Sequence, residues 1–170
     1  DNGTARRTRG LLQAISTNTT DASGAALTED MILDLAETVW SSGGLMEGET
    51  RTLICGSYVK RQLTTIFVTN KNYREETRNV GGVNLQTFET DFGRFNIMLN
   101  RWMPAEQLAL VSLEECTPCF LEVPGKGHFF AEPLAKTGSS DNVQLYGEIG
   151  LKYGNELKHG KLYGLSTAGS

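Results

Sequence analysis

Apolar residues recur at helical spacing in one stretch of this chain and alternate with polar residues in several others. Leu27, Met31, Leu35 and Val39, with Ile32 beside them, make a single stripe, the pattern of an amphipathic helix. Thr28 supplies an N-cap hydroxyl for an orphan backbone N–H. Glu29 and Asp30 fall in the first turn, where the helix dipole favours acid. Gly43-Gly44 ends the stripe, since glycine accepts the left-handed conformation of a helix C-terminus. Thr52 to Cys55 is a short apolar run that predicts a buried strand. Ser57 is a candidate second N-cap, and Tyr58, Val59, Leu63, Ile66 and Phe67 predict a helix running to about Val68. A helix–strand–helix unit therefore occupies residues 28–68.

From Val80 onward the periodicity changes from helical to alternating. Val83, Leu85 and Thr87 alternate with polar residues, Asp91-Phe92-Gly93 signals a turn, and Phe95, Ile97 and Leu99 alternate again, which predicts a β-hairpin. Pro104 ends it. Leu108 to Leu113 predicts a further strand, and Pro118, Pro124, Gly125 and Gly127 predict an irregular connection. Val143, Leu145, Ile149, Leu151 and Tyr153 share one parity and predict a long half-buried strand. Gly147 within it marks a bulge or a close backbone approach. Asn155 or Gly160 turns the chain into another strand near Leu162. Residues 1–26 are small and polar apart from Leu11-Leu12 and are expected to form an arm with no core of its own; Arg6, Arg7 and Arg9 are read as solvated charges, with an interaction tail as the alternative. The fold class is α+β. Met31, Leu35 and Val39 are expected to pack on Leu145, Ile149 and Leu151, because a half-apolar helix and a half-apolar strand each need a partner.

A chain of 170 residues favours one domain, or one with an inserted lobe, and buries roughly 70% of its unfolded surface without staples. Its 19 Gly against 4 Pro fit the many tight turns that short strands need. The net charge of −4 argues against a dedicated nucleic-acid binder, whose footprint is basic, but not against a protein that encloses nucleic acid. No apolar run reaches the roughly 18 residues of a membrane helix, and no signal peptide opens the chain. The start at Asp1-Asn2-Gly3, without Met, leads to the expectation of a processed or trimmed piece. Three cysteines do not suggest a disulfide framework, and synthesis in a reducing cytoplasm is expected.

Candidate chemistry is sparse. Cys116-Thr117-Pro118-Cys119 is a C-x-x-C, but a redox dithiol wants its first thiolate at a helix N-terminus, and Pro124 cuts short any helix after it. A zinc site wants four ligands, usually as two spaced pairs; only Cys55, His128 and His159 remain, far apart in sequence. Neither a metal nor a redox role is expected of Cys116 and Cys119. His159, between Lys158 and Gly160-Lys161, has no nucleophile motif beside it and is read as a surface turn. Gly43-Gly44, Gly81-Gly82 and Gly138-Ser139-Ser140 lack the spacing of a phosphate loop. Asn2-Gly3-Thr4 and Asn18-Thr19-Thr20 are chance glycosylation triplets. No catalytic, cofactor-binding or metal residue is assigned, and no enzyme activity is expected.

Five segments, in order, resemble one family. They are Arg7-Thr8-Arg9-Gly10-Leu11-Leu12; the capped helix of Thr28 to Gly44 with its late Trp; Asp91 to Pro104, closing on Asn-Arg-Trp-Met-Pro; Glu132-Pro133-Leu134-Ala135-Lys136-Thr137-Gly138; and Tyr146 to Gly160, closing on Gly-Asn-Glu-x-x-His-Gly. Together they cover nearly the whole chain and are similar to the major capsid proteins of tailed bacteriophages, which share the Hong Kong ninety-seven-like fold. That resemblance implies an E-loop exit over residues 1–26, a P domain over 27–44 and 131–166 with Thr28 to Gly43 as its spine helix, an A domain over 45–130, and a C-terminal tail at 167–170. The arm and most of the E-loop are expected before Asp1. The C-x-x-C is not part of the family pattern. The resemblance implies a structural subunit of an icosahedral head, assembling with copies of itself into hexameric and pentameric capsomers. It also implies a portal and, in some systems, a scaffold or maturation protease as partners, DNA enclosed without sequence-specific binding, no cofactor, no membrane, and a place in the virion. Without its arm, a piece covering residues 1–170 is expected to fold but not to close shells. A thiol-active or zinc-binding protein built on Cys116 and Cys119, and a tail-tube protein, are the alternatives.

Overall fold

A computed structural model describes residues 8–46, 51–70, 86–136 and 138–167, without the side chains of 68–70. The alternation expected at Val80, Val83 and Leu85, the Gly81-Gly82 pair, Arg6 and Arg7, and the Asn2 triplet lie outside the described residues.

The main body is a six-stranded mixed sheet in the order β1-β9-β5-β2-β4-β3. Its strands are β1 (Thr19–Asp21), β2 (Arg51–Cys55), β3 (Thr87–Thr90), β4 (Gly93–Leu99), β5 (Leu108–Ser112) and β9 (Gly160–Tyr163). Helices α2 (Glu29–Ser41) and α3 (Ser57–Thr64) contribute to the main core. Leu35, Val39, Leu53, Leu63, Leu110 and Leu162 meet there, together with the stacked rings of Phe67, Phe88 and Phe95. A short turn of helix, α1 (Leu11–Ala14), serves a second cluster in which Leu11 and Leu12 pack with Met103, Ala109 and Val111. Residues of β5 therefore point alternately into two cores, and all five are buried. That double coverage explains its nearly unbroken apolar run.

The capping chemistry of α2 follows the sequence. The Thr28 hydroxyl accepts from the Met31 N–H, and Glu29 and Asp30 occupy the first turn. At the other end Gly43, with φ +87°, lets its own N–H reach the Trp40 carbonyl while that of Gly44 reaches Val39. Glycine alone adopts that conformation without steric cost.

Several expectations are corrected. Gly56, not Ser57, is the N-cap of α3, and the α-helix stops at Thr64, continuing as a π-helical segment over Thr65–Asn70. The stretch expected to be irregular holds a strand, β6 (Thr117–Leu121). Pro118 is tolerated because β6 lies at a sheet edge, where a missing N–H breaks no ladder. The arm is not coreless: Ala14, Ile15 and Ala22 are buried, and β1 pairs in parallel with β9. The stripe on α2 does not meet the long strand β8 (Val143–Lys152); it packs on β9. Gly160 permits this, since a Cβ there would lie 2.5 Å from the Val39 side chain and 3.0 Å from that of Leu35. Leu35 and Val39 thus share a core with Leu53 and Leu110. Sequence pattern showed that α2 and β8 each needed a partner but not that β9 was the one with a glycine-sized gap.

Candidate assembly surface

Two connectors leave the main sheet, residues 113–116 after β5 and residues 153–159 before β9, and between them lies a second sheet. It has three antiparallel strands in the order β6-β8-β7, with β7 at Phe129–Pro133. The register pairs Pro118 with Leu151, Phe120 with Ile149, Phe129 with Gly147, Ala131 with Leu145 and Pro133 with Val143. Directly paired residues share a face and successive residues alternate. One face therefore carries Pro118, Phe120, Phe129, Ala131, Pro133, Val143, Leu145, Ile149 and Leu151, all apolar. The other is mixed: Thr117, Glu132, Gln144, Glu148 and Lys152 share it with Cys119, Leu121, Phe130 and Tyr146; there Lys126 pairs with Glu132 at 2.7 Å and lies 5.0 Å from the Phe130 ring centre.

The apolar face is open. Phe129 is 70% exposed, Leu145 66%, Val143 62% and Ile149 59%. Full burial of such a side chain is worth roughly 1.5–3 kcal/mol, and a contiguous apolar patch of this kind marks an interaction site. Gly147 is a close-approach glycine, not a bulge: β8 is continuous, and a Cβ at Gly147 would meet the Phe129 ring at 2.5 Å. The long strand predicted from sequence is present, but it is uncovered where it was expected to be half-buried, because the helix meant for it packs elsewhere.

Hydrogen bonds and one ion pair brace the junction between the sheets. His159, expected in a surface turn, is fully buried. Its Nδ1 accepts from the Ser112 N–H at 3.3 Å, and its Nε2 lies 2.7 Å from the Tyr153 carbonyl. A carbonyl accepts only, so the proton sits on Nε2, and neither nitrogen is free to act as a base. Lys158 forms an ion pair with Glu115 across the two connectors. Glu156 accepts from the Ser16 and Thr17 N–H groups and the Thr17 hydroxyl. The Thr17 hydroxyl foremost, then the Ser16 N–H, holds its carboxyl below the ordinary carboxylate range. Asn18, buried, donates to the Leu157 and His159 carbonyls and accepts from Ser42. Apolar periodicity carries no signal for these residues. The Gly-Asn-Glu-x-x-His-Gly string was the available clue.

The sulfur and imidazole candidates are not gathered into a site. Cys116 and Cys119 lie in extended chain three residues apart, which separates them by about 10 Å and turns them to opposite faces, beyond the roughly 7 Å that a disulfide spans. Burial, then the neighbouring Glu115 carboxylate, pushes the Cys116 thiol up, the wrong direction for a reactive thiolate. Cys55 is buried and pushed up to about 11 by desolvation, with Lys60 opposing. His128 is exposed beside the Phe120 ring. Among the described residues no three His, Cys, Asp or Glu side chains converge. The open cleft lined by Gln13, Thr19, Lys161 and Tyr163 has as its cation a lysine whose Nζ already donates to the Leu12 carbonyl. No helix among the described residues is long and apolar enough to cross a membrane.

Comparison with solved structures places the fold. The holo-SrpI encapsulin complex of Synechococcus elongatus PCC 7942 superposes with a TM-score of 0.65 at 10% identity, over 94% of this chain and 57% of that one. A chain of Mycobacterium phage Patience gives 0.57 at 12% identity, over 91% and 47%. One from the satellite phage P4 procapsid, which includes the size determination (Sid) protein, gives 0.51 at 12%, over 94% and 53%. The chain spans about half the length of these structures. Its fold is the Hong Kong ninety-seven-like fold that the resemblance implied. No curated protein matches the sequence. The sequence profile of the SU10 major capsid protein matches residues 1–166, and the chain belongs to the SU10 major capsid protein family.

Proposed function

We propose that this chain forms part of the structural subunit of a tailed-phage head and associates with copies of itself into an icosahedral shell around DNA. The observation that carries this reading is the apolar face of the three-stranded sheet, which the described residues leave open in a chain of a capsid family. A shell subunit needs surfaces that are stable only when covered by further protein, and it needs no reactive centre. Enclosure of DNA without base readout fits the net charge of −4. We assign the three-stranded sheet to the peripheral P domain and the six-stranded sheet, with α2, to the axial A domain. The shared core of α2, β2 and β5 supports this division over one that splits α2 from β2. A place in the virion, synthesis in the host cytoplasm, a portal partner, and a scaffold or protease in assembly belong to the same proposal. No observation favours a tail-tube protein or a thiol enzyme.

Expression of the full-length gene product, followed by electron microscopy and light scattering, tests the proposal. Closed shells are expected from that product, and monomers or small oligomers from residues 1–170 alone. A full-length product that stays monomeric at every concentration, with and without its phage's other head proteins, overturns it.

A further inference from the structure

No strand of the three-stranded sheet pairs with a strand of the main sheet. The two connectors and their hydrogen bonds therefore carry the joint. Each is built on a single 3-10 turn, Leu113–Glu115 in one and Glu156–Lys158 in the other. Gly154, at φ +61°, leaves no room for a side chain against Glu115. At the centre is His159, with 0% exposure and both ring nitrogens committed to backbone. Nδ1 accepts from the N–H of Ser112, the last residue of β5, and Nε2 donates to the carbonyl of Tyr153, just past β8. One ring thus ties the end of one sheet to the end of the other.

The charges around the ring are engaged elsewhere. Lys158 pairs with Glu115 of the first connector, Glu156 accepts from Ser16 and Thr17, and Lys161 on β9 donates to the Leu12 carbonyl. Glu114 is exposed. The α1–β1 link contributes neutral Asn18, and α2 approaches at Gly160 with Leu35 and Val39. Neither ring nitrogen has a carboxylate for a partner.

We propose that His159 is a proton-operated latch between the two sheets, a device that stands apart from the capsid reading and needs no partner. The neutral ring supplies one acceptor and one donor, which is what Ser112 and Tyr153 require. An imidazolium has two donors and no acceptor. A second proton, on Nδ1, would set N–H against the Ser112 N–H in a site closed to water. The connectors must part for the ring to take it, and parting them releases the three-stranded sheet from the Ser112 end of β5. The opened junction then binds one proton more than the closed one, so acid favours opening. An imidazole in water titrates near about 6.5. At pH 5.5 the opened ring is about nine-tenths protonated, and the opening equilibrium rises roughly tenfold over its value at pH 8.

Hydrogen exchange on the full-length protein reads the latch. Peptides covering residues 111–116 and 153–159, corrected for the intrinsic exchange rate at each pH, are expected to lose about tenfold in protection from pH 8 to pH 5.5, while α2 keeps its own. His159→Gln retains a donor and an acceptor but does not titrate, so its junction protection is expected to stay level over the same range. His128→Asn, at the other of the two histidines and exposed, is expected to keep the wild-type response, and it serves as the variant arm should His159→Gln fail to fold. Wild-type junction protection that is level with pH overturns the proposal. So does an acid response that persists in His159→Gln or vanishes in His128→Asn.

Discussion

The two sheets use similar amounts of apolar sequence to different ends. In the six-stranded sheet, β5 presents Leu108 and Leu110 to one core and Ala109 and Val111 to another, and every one is buried. In the three-stranded sheet, Val143, Leu145 and Ile149 alternate with Gln144, Tyr146 and Glu148, and each of the three is more than half exposed. Alternation records which face wants cover. It does not record whether the cover comes from the same described residues. The main sheet holds the buried core, and the small sheet carries apolar surface that the described residues leave exposed, surface that the proposed function assigns to association. A three-stranded sheet with one uncovered apolar face is near the limit of what stands without further packing, which makes the braced junction at His159 necessary.

Paired truncations put the sharpest test on this contrast. Leu35→Ala removes a side chain with 0% exposure and should cost about 2–5 kcal/mol in urea unfolding of residues 1–170. Leu145→Ala, at 66% exposure, should change the same chain by less than about 0.5 kcal/mol. In assembled full-length protein the order of effects on shell yield should reverse, provided Leu35→Ala is assayed where it is still folded. Equal costs in the isolated chain would mean that β8 is covered there, and the comparison would fail.

A smaller effect is expected at the junction. His159→Ala takes from the Ser112 N–H its ring acceptor and from the Tyr153 carbonyl its donor, a loss of roughly 1–3 kcal/mol. Amide exchange of Ser112 should accelerate along with that of the β8 end, while amides of α2 keep their protection. A change confined to global unfolding, with no selective loss at Ser112, would mean that the two sheets share one cooperative unit.

How much of this was legible in the sequence divides along the same line. Helix α2, its Thr28 cap, its Gly43 stop, the Asp91-Phe92-Gly93 hairpin and the length of β8 all follow from local chemistry, and the structure has each of them. The partner of α2 did not follow, because it turns on a close approach at Gly160 that periodicity cannot register. Nor did β6, whose Pro118 reads as a breaker unless the strand is known to be an edge. His159 was misread for a related reason. Lysines on either side imply solvent, yet Lys158 reaches Glu115 and Lys161 reaches the Leu12 carbonyl, so both flanking charges turn away and leave the imidazole buried between the sheets.

The smallest expected effect concerns the clamp that Glu156 places on Ser16 and Thr17, tying the α1–β1 link to the junction. Its ionised carboxylate accepts these hydrogen bonds more strongly than the neutral carboxyl does, and they hold its folded-state pKa below the ordinary value of 4.5. The sign follows from proton linkage. A group with a depressed folded pKa binds fewer protons folded than unfolded between the two values, so it contributes stability that is fully present above the unfolded pKa. That contribution is lost as pH falls from about 4.5 through the lower folded value. Glu156 is solvent-accessible, so screening keeps the effect to a few tenths of a kcal/mol. Glu156→Gln keeps one acceptor oxygen and removes the charge. The stability difference between wild type and Glu156→Gln, measured by urea unfolding, should therefore be constant from pH 7 to about pH 5.5 and shrink toward zero below pH 4. A difference that grows on acidification would show that Glu156 is the acid partner of some other group, and that the junction is held by Lys158, Glu115 and His159 without it.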